Sequence, residues 1–272
     1  AARADGQARG LGLEPVLVRR VDVPAGAGGP EAEARLARYE ALLAAAAEFG
    51  ARAVLTAHTR DDQAEQVLLA LARGSGTRSI AGIPPVRLIA PGILVIRPLL
   101  DEQAGVTREV TETSCAELGL EPWRDPHNLD RSYARVRVRT DALPLLEQQL
   151  GHGFAAALAR SADLAREDAD ALDALAEQHY AGIVQVASSG DGFDGDEDRR
   201  VLLSVAALQA LPPALRGRVI RLVADREFDS QLTREHTLAI ASLVTAWKGQ
   251  GPIHAPRVIV RREGADILIA AR

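Results

Sequence analysis

The sequence holds 272 residues, with 47% apolar side chains and a formal net charge of −5, enough for one large domain or two ordinary ones. No window approaches the roughly 18 apolar residues of a membrane span. No basic start followed by an apolar run marks a secretory signal, so the chain reads as a soluble, cytoplasmic protein with no membrane partner. Cys115 is the only cysteine. That excludes an internal disulfide framework and a cysteine-cluster zinc site, and a lone thiol reads first as a buried helical residue. Charge is uneven along the chain: residues 1–140 hold 18 arginines against 18 acidic residues, and the remainder carries the whole −5. Lys248 is the sole lysine, so any nucleic-acid contact must come from a local arginine patch and not from a global field.

In chain order, AARADGQARGLG reads as the second half of a helix and its glycine stop. Methionine is absent throughout, and together these observations predict that the native N-terminus is missing. VLVRRVDV, residues 16–23, has the valine content of a strand. The glycine-rich run Pro24 to Pro30 is a loop. Glu31 to Phe49 is a helix that stops near Gly50. AVLTA, Ala53 to Ala57, is an apolar run of the kind found in buried parallel strands, and His58 follows it at once. A helix from about Asp61 to Arg73 stops at Gly74, Leu94 to Arg97 is a third strand, and Thr107 to Leu118 is a further helix. Strands alternating with helices predict an α/β domain with a parallel sheet, whose ligands sit beyond the carboxyl ends of the strands.

After about residue 140 the pattern turns helical, with a long alanine- and leucine-rich stretch over 153–181 and helices near 204–210, 212–226 and 234–247. SSGDGFDGDED, Ser188 to Asp198, resembles a calcium loop only loosely and reads as a solvated acidic loop. Arg257–Arg262 and Asp266–Ala270 flank Glu263-Gly264 as a hairpin.

The strongest chemical constellation is His58, Asp62 and Glu65. Positions four and seven apart return to one helix face, so an imidazole and two carboxylates converge at a strand end. They suit an ammonium group, a magnesium ion or a phosphate neighbour, and they read equally well as ordinary capping at a helix start. Arg35 and Tyr39 lie four apart on the preceding helix, which by itself is an amphipathic surface helix. Gly74-Ser75-Gly76 ends the next helix and reads by itself as a C-cap. In WRDPHNLDRSYARVRVR, Trp123 to Arg139, Asp125-Pro126 and Asn128 are turn chemistry. Arg131, Arg135, Arg137 and Arg139 follow. If extended, the Arg–Val alternation places Arg135, Arg137 and Arg139 on one side, suited to phosphates, although a solvated charge run fits equally.

Taken together, GGPEAEARLARYEAL, VLTAHTRDDQAEQVLLALARGSGTRSIAGIPP, IRPLL and EPWRDPHNLDRSYARVRVRTDALPLL resemble the tRNA(Ile)-lysidine synthase family of PP-loop ATPases, in order and spacing, from residue 1 to about 146. The most specific part is H-x-x-x-D-x-x-E within A-H-x-x-D-D-x-x-E-x-x-L-L, followed by R-G-S-G. The resemblance implies an α/β, parallel-sheet PP-loop domain over residues 1–142, without its first strand and phosphate loop. A mainly helical substrate- and tRNA-binding domain over 143–272, ending in a β-hairpin, would follow. It implies that ATP adenylates the C2 carbonyl of the wobble cytidine in isoleucine tRNA with a CAU anticodon. The ε-amine of L-lysine then displaces AMP to form lysidine, with magnesium accompanying ATP.

By the same resemblance Asp62 and Glu65 match acidic residues near the lysine site, and Arg35 matches an arginine near ATP and the reaction centre. His58 and Gly74, Ser75 and Gly76 join Arg35 as nucleotide-binding residues. Asp125, Asn128, Arg135, Arg137 and Arg139 fall near the tRNA or the adenylated intermediate. Which of His58, Asp62 and Glu65 moves a proton stays open, and a homodimer is among the expected assemblies. Two departures stand out. The family's S-G-G-x-D-S loop is nowhere in the sequence, which predicts that this polypeptide by itself cannot catalyse the first step. Val136 replaces an asparagine that many relatives carry between the arginines. A sister PP-loop thiolase and a noncatalytic tRNA-binding remnant are the alternatives, the first disfavoured by the single cysteine.

Overall fold

Glycines and short polar residues set the ends of the elements largely where the sequence predicts them. The computed structural model of the protein describes residues 1–23, 30–187 and 199–272. It comprises two compact units, Ala1–Arg166 and Glu167–Arg272. The expected loops over Pro24 to Pro30 and Ser188 to Asp198 fall outside the described residues, apart from the helical Pro30.

The first unit begins with α1 (Ala2–Gly10), which is followed by Gly12 at φ +75°. That left-handed backbone suits only a residue without a Cβ. Then come α2 (Pro30–Glu48), β1 (Ala53–Leu55), α3 (Arg60–Ala72), α4 (Thr77–Ile80), β2 (Val86–Ala90), β3 (Ile93–Ile96) and α5 (Arg108–Glu117). The sheet order is β1-β3-β2. β1 pairs with β3 in parallel, Ala53 opposite Leu94 and Leu55 opposite Ile96. β2 returns against β3 in antiparallel sense. The α/β class holds, but the sheet is mixed: Pro91-Gly92 makes a tight connection, which only an antiparallel pair can use.

Three local expectations are corrected. Residues 16–23 form no strand: Val18, Val21 and Val23 are exposed, and a valine-rich run becomes a strand only where an edge supplies backbone partners. β1 is not buried, and Leu55 is 68% exposed, because β1 pairs on one side only among the described residues. Cys115 lies on α5 as expected but is only partly buried.

α3 is the element that positions the site. Its inner face carries Ala64, Val67 and Ala70, together with buried Gln63 and Glu65. Gln63 Nε2 donates to the carbonyls of Ala81 and Ile83, and its Oε1 accepts from Ile83 N at 2.7 Å. Gly82, at φ +64°, is needed there, since a Cβ would stand 2.6 Å from Gln63 Oε1. α3 is thus fastened to the turn that leads into β2.

The arginine run does not extend. It forms α6 (Ala134–Arg137), a π-type turn over Val138–Ala142, and α7 (Leu143–Leu150). On a helix Arg135 and Arg139 share a face, while Arg137 points elsewhere. α8 (Phe154–Ile183) follows and runs through the division between the units.

The second unit continues with β4 (Val184–Ala187), β5 (Arg200–Ser204), α9 (Val205–Ala210), α10 (Pro213–Phe228), α11 (Arg234–Thr245), β6 (Ile253–Ala255), β7 (Val258–Glu263) and β8 (Asp266–Ala271). The predicted hairpin is β7–β8. It lies within a five-stranded antiparallel sheet, order β4-β5-β8-β7-β6, and not alone at the end of a helical domain. Val201, Leu203, Val258, Val260, Ile267 and Ile269 of this sheet pack with Val219, Ile220 and Val223 of α10 and Ile240 and Leu243 of α11. Apolar positions at alternate strand residues and at i, i+3 or i+4 helix spacing meet in one core. No described helix is long and apolar enough to cross a membrane.

Candidate active site

The start of α3 gathers the acidic residues. Asp62 Oδ2 accepts from the backbone N–H of Thr59 at 2.8 Å and from its hydroxyl at 3.1 Å, closing a capping box. Asp61 Oδ2 accepts from the backbone N–H of Arg108 at 2.6 Å and so holds the start of α5. Capping is therefore real here, but it occupies only one oxygen of Asp62. Asp62 Oδ1 lies 3.5 Å from Arg108 and 3.7 Å from Arg139. Those are ion-pair distances, longer than a hydrogen bond.

Glu65, one turn further on, is 1% exposed and sits beneath three guanidiniums. Arg139 grips it as a fork, Nε to Oε1 at 2.7 Å and Nη2 to Oε2 at 2.9 Å. Arg108 Nη2 donates to Oε1 at 3.1 Å, and Arg135 Nε stands 3.4 Å from Oε2. The hydrogen bond to Glu65 is the main reason that the Arg139 guanidinium holds its proton above its ordinary range. Arg135 is also tethered through Nη2 to Gln66 at 3.1 Å. One buried carboxylate thus orients a cationic cluster that carries more positive charge than it neutralises.

His58 stands just before α3, at the carboxyl side of β1. Its Nδ1 is 3.1 Å from the Thr56 hydroxyl. Burial, chiefly, pushes its pKa below 6.5, against the pull of Asp62 and with the help of Arg97, Arg135 and Arg35. A neutral imidazole at neutral pH can accept a proton. His58 lines a cavity of about 230 Å³ together with Thr56, Ala57 and α2 residues Arg35, Arg38, Tyr39 and Leu42. The Arg35 guanidinium lies over the Tyr39 ring, 5.1 Å from its centroid. Among the described residues neither Arg35 nor Arg38 meets a carboxylate, and the two bring basic side chains to the cavity wall. The two basic regions are linked electrostatically through His58, which feels both Asp62 and Arg135.

The other sequence-predicted residues lie differently. Gly74 takes φ +63°, Ser75 N–H bonds back to the Ala70 carbonyl, and Gly76 starts α4. This is a C-cap by geometry. Asp125 caps the 3₁₀ turn Pro126–Leu129 by accepting from His127 N–H, which with the His127 ring holds its carboxyl below the usual range. Asn128 is exposed on that turn. Arg137 spends one Nη on the carbonyls of Arg131 and Ser132, both at 2.7 Å. Two contributors are new. Arg108 has no sequence signal, because it reads as an ordinary first residue of a helix. Arg97 lies within the family-like IRPLL, but a single arginine after a strand does not announce burial.

A second concavity, of about 440 Å³, belongs to the second unit and is lined by Arg199, Arg226, Glu227, Asp229 and Arg257 among others. Its arginines are paired: Arg199 with Glu227, Arg226 with Glu177 and Arg257 with Asp229. Among the described residues, no group of three His, Cys, Asp or Glu side chains is placed to hold a metal ion.

Comparison with known proteins bears on both units. The family model of a PP-loop domain matches residues 8–146, and that of the TilS substrate binding domain matches residues 203–267. A curated tRNA(Ile)-lysidine synthase of Leifsonia xyli subsp. xyli is 52% identical over 265 residues, covering 97% of this chain and 74% of its own length. The tRNA(Ile)-lysidine synthase of Salinispora tropica is 48% identical, covering 94% of this chain and 73% of its own. That of Mycobacterium tuberculosis is also 48% identical, covering 96% and 76%.

Proposed function

The chain belongs to the tRNA(Ile)-lysidine synthase family, and from that premise we propose how its residues divide the reaction. The family's reaction is an ATP-dependent ligation that forms lysidine on tRNA(Ile). In the finer reading, L-lysine is joined to C2 of the wobble cytidine in a CAU anticodon. The cytidine O2 attacks the α-phosphorus of ATP and pyrophosphate leaves. The lysine ε-amine then attacks C2, and AMP leaves with that oxygen. The site of action is the cytoplasm, where tRNA is available.

The carrying observation is the contrast between paired and unpaired charge on either side of His58. The basic wall of Arg35 and Arg38, which meets no carboxylate among the described residues, suits the phosphate of ATP and of departing AMP, where a fixed cation is worth most as charge develops. Asp62 Oδ1, with no hydrogen bond of its own, suits the substrate ammonium. Neutral His58, between them, is placed to take the proton that the amine loses on attack. Glu65 serves this scheme by holding Arg135 and Arg139 toward the tRNA or adenylate. Arg137, on another face, is left to the tRNA backbone.

Magnesium accompanying ATP would take its oxygen ligands chiefly from the phosphates and water. Asp62 Oδ2 is committed to Thr59 and Glu65 to guanidiniums, so of these carboxylates Asp62 Oδ1 is the oxygen left to offer it.

The test uses protein expressed from its complete gene, with ATP, lysine and an isoleucine tRNA transcript bearing CAU. Lysine-dependent AMP release is expected. Asp62→Asn should raise the KM for lysine about tenfold, the scale of one charge-assisted hydrogen bond, with tRNA affinity unchanged. No AMP release would leave a noncatalytic tRNA-binding protein, and an equal loss of tRNA binding would make Asp62 structural. Light scattering of the same protein tests the expected homodimer.

A further inference from the structure

Arg97 is buried at 2% exposure immediately after β3, and no carboxylate pairs with it among the described residues. Its Nη1 donates to the Pro84 carbonyl at 2.6 Å, its Nη2 donates to the Tyr39 phenol oxygen at 3.0 Å, and its Nε has no hydrogen-bond partner. Its backbone N–H donates to the Pro85 carbonyl at 2.8 Å. An ion taken from water without a counter-ion costs several kcal/mol. A neutral donor would make the same two hydrogen bonds at much lower cost. The charge itself therefore has a use, and the geometry shows where it acts. Tyr39 accepts from Arg97 at its oxygen and carries Arg35 over its ring face, and both Tyr39 and Arg35 line the cavity beside His58. Behind Arg97, the turn over residues 81–85 is pinned by Gln63 of α3. A continuous chain of contacts thus runs from Gln63 through the turn, Arg97 and Tyr39 to Arg35.

We propose that Arg97 is a positioning residue for the reaction: through Tyr39 it holds Arg35 at the cavity, where Arg35 meets a phosphate ester. This rests on the lysidine synthase reading for the identity of the phosphate ester, but not for the coupling between the two arginines. Burial chiefly lowers the His58 pKa, against Asp62, and Arg97 adds to that lowering together with Arg135 and Arg35. The same buried charge therefore helps to keep the imidazole neutral.

The experiment is a double-mutant cycle on Arg97→Met and Arg35→Ala, with calorimetric affinity for AMP as one readout and lysine-dependent AMP release as the other. Each single variant is expected to weaken AMP binding about tenfold, the scale of one charge-assisted contact. The double variant is expected to be no weaker than Arg35→Ala alone, because groups that act through one another are not additive. Arg97→Lys, which keeps the charge, is expected to recover part of the loss. If Arg97→Met fails to fold, Tyr39→Phe carries the same cycle, since it keeps the ring under Arg35 and removes only the acceptor for Arg97. Strict additivity in AMP affinity, or no effect of the folded single variant, would overturn the proposal. Both readouts use the protein expressed from its complete gene, and coupling in AMP binding without any AMP release by that unaltered protein would sink the lysidine reading and leave this one standing.

Discussion

Arginines do opposite work on the two sides of His58. Around Glu65, the guanidiniums of Arg108, Arg135 and Arg139 close on a buried carboxylate, and their geometry is set before any substrate arrives. Around Tyr39, Arg35 and Arg97 have an aromatic ring and neutral oxygens for company and, among the described residues, no carboxylate. Partly neutralised arginines make a stable orienting frame. Unneutralised arginines make a site whose missing counter-ion must come with the substrate. The contrast explains how a protein of net charge −5 can offer a local anion site: charge is decided contact by contact and not by the total.

The sharpest way to break this comparison is Glu65→Gln. Removing the carboxylate leaves three partly buried guanidiniums close together, so the first unit should lose about 1.5–3 kcal/mol of stability, the scale of hydrogen bonds to a charged group. Urea unfolding measures it, and a loss under about 1 kcal/mol would mean that the cluster is not held by Glu65. Arg35→Ala should do the reverse. Its unfolding midpoint should hardly move, because Arg35 is an exposed residue, while kcat/KM falls by about 10²–10³ if it meets charge developing in the transition state. A large loss of stability with little loss of rate would exchange the roles of the two regions.

The smallest effect is the pH dependence of His58. Its pKa is lowered from 6.5 in the folded protein, so the unfolded chain binds the proton more readily. The stability contributed by neutral His58 is therefore complete above pH 6.5 and is lost as pH falls through the folded pKa. The acid limb of kcat/KM should fall below pH 6.5 for the same reason. His58→Gln should remove that limb, and a limb that persists unchanged would assign it to another group.

Much of the fold was legible from periodicity. The helices over α2, α3, α5, α8, α10 and α11 and the β7–β8 hairpin stand where spacing and glycine stops put them, because those signals are local. The strand expected at 16–23 failed because a strand needs a neighbour, and no local pattern reports one. The extended reading of Arg135 to Arg139 failed for a related reason: Arg–Val alternation fits a strand, but the same residues continue helically through Val138–Ala142 into α7. At the site, the spacing of His58 and Asp62 brings the carboxylate to bear on the imidazole, whereas Glu65 lies buried against Arg108, Arg135 and Arg139. Those arginine partners were not legible from spacing, since Arg108 lies 43 residues from Glu65 and Arg139 lies 74 residues away.

The family, the α/β character of the first unit and the candidates His58, Asp62 and Glu65 about the start of α3 could all be read from the chain, because they rest on short-range spacing and motif order. Folding settles which carboxylate oxygen is spent on a cap and which arginines meet a carboxylate and which, among the described residues, do not. Those are questions of distance and burial between segments remote in the chain. A guanidinium looks the same in the sequence whether it meets a carboxylate, as Arg139 does, or a phenol and a carbonyl, as Arg97 does.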